Sequence, residues 1–200
     1  GGRGVAGART REEDWAQDIF VASTHDYIMF FTDLGRCYWL KVHAIPQGGR
    51  AARGKAIVNC IQIGGDERVT AYTPVKTFDD NRYLVLGTSR GQIKKTVLAA
   101  FGNPRRAGIR AVNLSDGDTL IGAAITDGDN EIILASRKGK AVRFHETNLR
   151  PMGRTAGGVR GMTLAGDDDR VVGMVVVSRD ATLLTVTEKG YGKRTRISEY

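Results

Sequence analysis

A glycine-centred turn recurs along the chain about every 50 residues, and this internal repeat constrains the fold more than any other feature. Aliphatic and β-branched residues run up to each turn, as in the stretch Ile132–Phe144, where Gly139 separates two strand-like segments. Glycine tolerates the positive φ that tight hairpin turns require, so each copy predicts a β-hairpin. The turn glycines are Gly35, Gly91, Gly139 and Gly190, and a hydroxyl residue stands three positions before each: Thr32, Thr88, Ser136 and Thr187.

A second glycine repeats in step with the first, about 18 residues after each turn. Each copy leads into a strand-like run, which is followed by an acidic turn and a further apolar strand. The repeat therefore holds about four strands, which is typical of a propeller blade and predicts an all-β fold. The second glycines are Gly54, Gly108 and Gly158, with Gly4 in the same slot, and the runs that follow are Ile57–Asn59, Ala111–Asn113 and Gly161–Thr163.

These landmarks predict a single β domain made of successive repeats. We expect residues 1–17 to form the tail of a blade, residues 18–75, 81–125 and 130–177 to form three repeats, and residues 182–200 to begin another. The first residue is not methionine, so we expect the chain to be part of a longer protein, covering about four blades. The half-repeats at the two ends are complementary, and pairing between them would close a ring without exposed strand edges.

The charge balance indicates a polyanionic partner. Thirty lysine and arginine residues against 22 aspartate and glutamate residues give a net charge of +8 and a pI near 9.7. For a domain of this size such a charge favours nucleic acid before a membrane, and no run of about 18 apolar residues is present. The two cysteines and three histidines lack the spacing of metal ligands, so we expect no metal site and a reducing cytoplasmic environment.

One stretch imitates a phosphate-binding loop. Gly49–Lys55 fits the pattern G-x-x-x-x-G-K, but Ala56 replaces the Ser or Thr that holds Mg²⁺. The residues that follow, Ile57–Ile61, predict a strand and not the helix whose N-terminus would bind phosphate. The acidic turns lack the ligand spacing of a calcium loop, and no nucleophile and base recur together. We therefore expect no catalytic residue and no cofactor in this chain.

Basic residues recur at matching positions of successive repeats, so we expect them to form a belt around the rim of the domain. The belt would match the phosphates of a duplex that curves around the rim, and specificity would come from DNA bendability. A passive basic surface and a protein-binding scaffold are the alternatives. Charge reversal of Lys94, Lys95 and Arg143 together is expected to weaken binding to every DNA sequence. The candidate DNA-binding residues are Gly1, Gly2, Arg3, Gly4, Arg36, Arg50, Arg53, Lys55, Lys94, Lys95, Arg105, Arg106, Arg110, Lys140, Arg143, Arg154, Arg160, Lys193, Arg194 and Arg196.

Several stretches together resemble the C-terminal domain of the A subunits of bacterial DNA gyrase, over nearly the whole chain. The resemblance implies a β-pinwheel, a propeller-like disc whose blades exchange strands and whose basic rim wraps duplex DNA. It also implies that the domain supports ATP-dependent negative supercoiling without catalysing a step itself. The stretches are Ser23–Asp26, Gly35–Tyr38, Ala52–Gly54, Lys94–Thr96, Gly139–Phe144, Arg150–Gly153 and Gly190–Thr195.

The signature of that family is a basic seven-residue box, and Gly1–Gly4 resembles its last four residues, with Arg3 in the basic slot. The first three box positions are absent, so we expect weaker wrapping from this chain. The tail favours gyrase over the related topoisomerase IV, whose domain lacks an intact box. The resemblance implies duplex DNA as a partner, together with the N-terminal gyrase A domain and the gyrase B chain, in an A2B2 holoenzyme near the bacterial nucleoid. ATP and Mg²⁺ would act in those other parts, and so would the DNA-cleaving tyrosine.

Overall fold

The computed structural model describes residues 22–45, 47, 57–177, 182–186 and 192–196. Short β-strands dominate these ranges and are joined by turns and by single-turn 3-10 helices, which confirms the all-β prediction. A membrane-spanning helix is absent from the described ranges. The strands are β1 (Tyr27–Thr32), β2 (Arg36–Lys41), β3 (Val69–Val75), β4 (Tyr83–Thr88), β5 (Gln92–Val97), β6 (Ile109–Arg110), β7 (Leu120–Thr126), β8 (Glu131–Ser136), β9 (Ala141–His145), β10 (Val159–Arg160), β11 (Val171–Val177), β12 (Thr182–Val186) and β13 (Gly192–Arg196). The 3-10 helices are Val42–Ala44, Ile57–Cys60, Leu98–Phe101 and Glu146–Asn148.

The strands form separate antiparallel sheets, or blades, and two of the blades take in a strand from the repeat that follows. The first blade has the strand order β3-β1-β2-β6 and the second has the order β10-β5-β4-β7. Because β6 belongs to the second repeat and β10 to the third, the outer strand of each of these blades comes from the next stretch of chain. In the described residues the third blade runs β11-β8-β9, and β12 pairs with β13. Strand exchange between blades, which the resemblance implied, is therefore confirmed.

Each of the first three blades is centred on a hairpin whose turn repeats the same hydrogen bonds. The turn glycine has a φ between +79° and +87°, and its N–H donates to the carbonyl three residues earlier at 3.0–3.1 Å. The hydroxyl at that earlier position accepts the N–H of the residue after the glycine, which explains why a hydroxyl recurs there. The hydroxyl bonds are Thr32 from Arg36 at 3.3 Å, Thr88 from Gln92 at 3.1 Å and Ser136 from Lys140 at 3.2 Å.

The second glycine allows the exchanged strand to lie directly on the preceding blade. Gly158 has a φ of +88°, and a Cβ at this position would overlap the carbonyl oxygen of Ile93 on β5. The chain then reaches the turn of the second blade, where the carbonyl of Gly91 accepts the N–H groups of Gly161 at 2.8 Å and Met162 at 3.1 Å. At both described junctions, the turn glycine therefore lies against the segment that follows the second glycine. The second glycine lies against the strand that follows the turn.

The strand-like runs predicted after the second glycines are displaced in the structure. β6 ends at Arg110, before the predicted run Ala111–Asn113 begins, and β10 precedes its predicted run in the same way. The N–H groups of Ala111 and Val112 both donate to the carbonyl of Gly35, at 2.8 and 3.3 Å. Two amides that converge on one carbonyl cannot continue a strand ladder, so the exchanged strand stops after two residues.

The strand predicted immediately after the phosphate-loop-like stretch is also wrong. Its residues form the 3-10 helix Ile57–Cys60. A single 3-10 turn has few aligned peptide dipoles, so it is not the helix N-terminus that cradles phosphate in nucleotide-binding loops. The stretch Gly49–Lys55 itself lies outside the described residues.

Neighbouring blades pack face to face, and the alternation of side chains along β4 supplies a core on both of its faces. Leu84 and Leu86 belong to a buried cluster that includes Phe31 of the first blade. Val85, which lies between them, belongs to a second cluster that includes Leu134 of the third blade. Successive strand residues point to opposite faces, so the second blade is covered on both sides. The second blade consequently shares one core with the first blade and another core with the third.

Candidate nucleic-acid interface

The exchanged strand β6 brings arginines of two repeats together at the first junction, where it pairs with β2. Arg36 on β2 lies opposite Arg110 on β6. The Arg36 guanidinium donates from Nη2 to the carbonyl of Ala107 at 2.6 Å, which holds it against the turn that carries the exposed Arg105 and Arg106. Strand exchange thereby concentrates positive charge from distant parts of the chain at one place.

The third repeat adds another arginine to the first junction. Arg154 donates from Nη1 to the carbonyl of Arg110 at 2.6 Å. Its loop is also tied to the junction by the N–H of Asn113, which donates to the carbonyl of Ala156 at 3.2 Å. The residues Arg36, Arg105, Arg106, Arg110 and Arg154 are called the first basic cluster below.

The second junction, where β10 pairs with β5, repeats part of this arrangement. The exposed Arg160 is the second residue after Gly158, just as Arg110 is the second residue after Gly108. Lys140 directly follows the turn glycine of the third blade, and its Nζ donates to the carbonyl of Thr163 at 2.8 Å. Arg160 and Lys140 are called the second basic cluster.

Most of these cations have no acidic partner among the described residues. The ion pairs within 4.0 Å in those ranges include Arg36, whose Nε lies 3.8 Å from Oε1 of Glu67, but no other member of the two clusters. The remaining members with hydrogen bonds bond to backbone carbonyls or, for Arg110, to the side-chain oxygen of Asn113. Exposed cations without carboxylate partners give a surface that attracts polyanions.

Lys94 does not belong to this surface, so its predicted place on the exposed rim is wrong. Its side chain is 1% exposed, and its Nζ donates to the carbonyls of Ala111 and Arg154 and reaches that of Gly153 at 3.4 Å. Burial lowers the pKa of Lys94 from 10.5 to about 8, and the nearby Arg154 charge contributes to the same decrease. The ammonium therefore joins three backbone segments inside the protein.

Lys95 is buried as well, and its predicted exposure is wrong for a different reason. Its Nζ lies 3.1 Å from Oε1 of Glu146 and 4.2 Å from the centre of the Tyr83 ring. Glu146 is fully buried and also accepts the hydroxyl of Thr126 at 2.9 Å and the N–H of Asn130 at 2.8 Å. A buried charge is stable only when it is paired and hydrogen-bonded, and both conditions hold here. Because Lys95 is on β5 and Glu146 follows β9, the ion pair connects the second blade to the third.

A family model described as the DNA gyrase C-terminal domain, a beta-propeller, matches residues 26–76, 82–127, 130–178 and 181–200. The chain belongs to this family. Its curated relatives include the DNA gyrase A subunits of Salmonella typhimurium, 48% identical over 200 residues, and of Escherichia coli K12, 46% identical over 200 residues. Each match covers 100% of this chain and 23% of the relative, so the chain spans about a quarter of their length.

Solved structures of gyrase-type C-terminal domains share the fold. The C-terminal domain of DNA topoisomerase IV matches with a TM-score of 0.75 and 30% identity, over 88% of this chain and 55% of that one. The DNA gyrase A C-terminal domain matches with a TM-score of 0.71 and 30% identity, over 88% of this chain and 56% of that one. The shared fold thus agrees with the family assignment.

Several predicted contacts of this gyrase-type domain lie outside the described residues. They include the box remnant Gly1–Gly4 and the pairing proposed between the two chain ends. Arg143 is described and lies exposed on β9. Only the backbone of β13 is described, so the side chains of its three basic residues remain predictions: Lys193, Arg194 and Arg196. The other predicted contacts outside the described ranges are Arg50, Arg53 and Lys55.

Sequence reasoning missed two buried aspartates at the acidic turns, which it treated as solvated. Oδ1 of Asp118 accepts the Ser89 hydroxyl at 2.8 Å and the N–H of Arg90 at 3.0 Å, and Oδ1 of Asp169 accepts the N–H of Lys138 at 3.1 Å. Both aspartates stand two residues before the next strand, which was a readable signal. They fasten the hairpin turns of the gyrase-type blades. Within the described ranges, no group of three or more His, Cys, Asp or Glu residues could hold a metal ion.

Proposed function

We propose that this chain binds, bends and wraps duplex DNA along its basic junctions, without sequence-specific base contacts. In this role it is the C-terminal domain of a gyrase A chain and catalyses no step itself. The curved DNA segment would be presented to the ATP-dependent topoisomerase, which introduces negative supercoils.

The observation that supports this proposal most is the pair of exposed arginines on the exchanged strands, Arg110 and Arg160. They occupy equivalent positions in successive repeats and have no ion pair with a described carboxylate. Phosphates recur at a regular spacing along a duplex, so cations that recur with the blades match them without reading bases. Only several such contacts together can offset the free energy of bending DNA.

The holoenzyme context is part of the same proposal. The curated relatives are gyrase A subunits, of which this chain spans about a quarter. We propose that its partners are the remaining gyrase A domains and the gyrase B chain, in an A2B2 assembly associated with the bacterial nucleoid. ATP and Mg²⁺ would be bound there and not by this chain.

Charge reversal on the two exchanged strands tests the DNA contact. The variant carrying Arg110→Glu and Arg160→Glu should bind a long duplex more weakly, and its slope of log K against log salt should be shallower by about 1.8, because each neutralised phosphate contributes about 0.9. The measurement is DNA affinity at several salt concentrations. The matched control carries Lys76→Glu and Lys138→Glu, which change net charge equally at exposed residues outside both basic clusters.

Equal losses in the test variant and the control would show that net charge alone governs binding and would overturn the assignment of the junctions. If the parent chain failed to bind duplex DNA even at low salt, the protein-scaffold alternative would replace the whole proposal.

A topoisomerase IV role is the second candidate, favoured by the TM-score of 0.75 with that domain. The gyrase role has stronger support, because the matching family model is that of the DNA gyrase C-terminal domain and the gyrase A relatives are 46% and 48% identical to the chain. A domain of the second kind would bind DNA without wrapping it tightly. Affinity that does not rise when the duplex is lengthened would therefore favour topoisomerase IV.

A further inference from the structure

Lys94 sits where three segments of the chain meet beneath the first basic cluster. The residue itself is on β5, the carbonyl of Ala111 comes from the segment after β6, and the carbonyls of Gly153 and Arg154 come from the loop that precedes β10. An ammonium group has three N–H donors and no acceptor, which matches three surrounding carbonyls. A neutral amine has two N–H donors and a lone pair, and the lone pair would face an oxygen.

The same lysine is linked to the first basic cluster through Arg154. The carbonyl of Arg154 accepts from Lys94, while its guanidinium donates to the carbonyl of Arg110 at 2.6 Å. Lys94 thus anchors the backbone of one cluster member, and that member anchors the next. No described carboxylate forms an ion pair with Lys94, and the charged group that acts on it is the Arg154 guanidinium.

Two other cations on the strands around Lys94 bond to groups other than Lys94. Lys95, on the same strand, is paired with Glu146, and Arg110 donates to the side-chain oxygen of Asn113. Cys37 on β2 also senses the Arg154 charge, but burial raises the pKa of this thiol well above its usual value, so the thiol stays uncharged while Lys94 titrates.

We infer that Lys94 is a positioning residue for the proposed DNA contact, and that a DNA phosphate at Arg154 draws a proton onto Lys94. The inference rests on the proposed function. A phosphate beside Arg154 offsets the guanidinium charge that disfavours a second cation nearby. The ammonium form of Lys94, which holds the Arg154 loop with the full set of hydrogen bonds, is therefore favoured in the complex.

The titration of Lys94 places this effect in an accessible pH range. With a pKa of about 8 in the free chain, part of the Lys94 population is neutral at pH 8 and above. If DNA binding raises that pKa, the complex takes up protons and affinity falls as pH rises, by at most about tenfold per pH unit for one proton.

The free energy of unfolding of the free chain should change in the opposite direction. The unfolded Lys94 has its usual pKa of 10.5, so between pH 8 and 10.5 the unfolded state binds more protons than the folded state. The contribution of Lys94 to stability therefore rises with pH over that window. A lysine with a purely structural role would show this rise in stability without any loss of DNA affinity.

The first test measures binding of a mixed-sequence duplex of about 40 base pairs, long enough to contact several phosphates, at constant ionic strength between pH 7 and 9. Affinity of the parent should fall several-fold, and the profile of Lys94→Met should be flat. The matched control, Lys138→Met, removes an exposed lysine outside both basic clusters and should keep the parent profile.

A second test needs no substitution at Lys94. Calorimetric titration with the same duplex at pH 8.5, in two buffers of different ionisation enthalpy, gives the number of protons taken up. The parent should take up a measurable fraction of one proton, and Arg154→Gln should reduce it. Absence of uptake by the parent, or equal pH profiles for the parent and Lys94→Met, would overturn the inference. Absence of DNA binding by the parent at pH 7 and low salt would instead overturn the proposed function.

Discussion

Gly91 and Gly139 have the same backbone conformation but very different surroundings. Both have a φ of +87° at equivalent hairpin turns. A Cβ on Gly91 would lie 2.6 Å from the carbonyl oxygen of Met162, whereas a Cβ on Gly139 would have no atom within 4 Å among the described residues. The difference arises because β10 and the segment after it cover the turn of the second blade, while no described segment covers the turn of the third.

Alanine at these two positions separates backbone strain from steric overlap. We expect Gly139→Ala to lower the free energy of unfolding by about 1–2 kcal/mol, the cost of a left-handed conformation for a residue with a Cβ. Gly91→Ala should cost clearly more, since the exchanged segment must also shift. Urea denaturation measures both, and equal losses would show that the contact with Met162 contributes nothing.

At the scale of single residues, the sequence predicts what depends on local backbone geometry. The turn glycines and their hydroxyl partners could be read because their hydrogen bonds close within a few residues. The burial of Lys94 and Lys95 could not be read, because it depends on carbonyls and a carboxylate that lie between 17 and 60 positions away in the chain. A run of adjacent cations on a strand is normally a solvated feature, and in this chain tertiary contacts reverse that expectation.

At the scale of elements, strand exchange makes the first and second blades depend on the repeat that follows each of them. The second blade includes β10 of the third repeat, and the two blades share the cluster that contains Val85 and Leu134. In ordinary repeat proteins, stability is a sum of the stability of each unit and of its interfaces with neighbours. In this fold an interface includes strand pairing as well as side-chain packing, so we expect strongly coupled unfolding.

Truncation of Leu134 in the third blade tests this coupling. Leu134→Ala should lower the free energy of unfolding by about 2–5 kcal/mol, as expected for a buried leucine, and should accelerate amide hydrogen exchange in β4 and β5 as much as in β8. The matched control is Leu34→Ala, because Leu34 is 52% exposed and its truncation should change neither quantity. Faster exchange confined to the third blade would contradict the coupling.

The hairpins were predictable at this scale, and the exchange was not derivable from the pattern alone. Aliphatic runs that lead up to the turn glycines identified β4 and β8, but β6 and β10 are two residues long and carry no pattern of their own. The resemblance to the gyrase family implied that blades exchange strands, but it did not give the pairing partners of β6 and β10. The second glycines, Gly108 and Gly158, marked the places of close backbone approach without showing which blade is approached.

At the scale of the whole molecule, the basic clusters predict how DNA affinity depends on salt and DNA length. Contacts with about six to nine phosphates would give a slope of log K against log salt between about −5 and −8, and affinity should rise as the duplex grows from about 20 to 150 base pairs. The slope should be the same for unrelated sequences of similar bendability. A slope near −1 that does not change with DNA length would indicate a single local contact and would contradict wrapping.

The direction of strand exchange has a consequence for synthesis on the ribosome, where the chain emerges from its N-terminus. The outer edge of β2 stays open until Ile109 and Arg110 have been made, and that of β5 stays open until Val159 and Arg160 follow. Until the next repeat has been made, the first and second blades of the nascent chain therefore each carry an unpaired strand edge, which is the kind of edge that can pair with another chain. Completion of these two blades proceeds in one direction, one repeat behind translation.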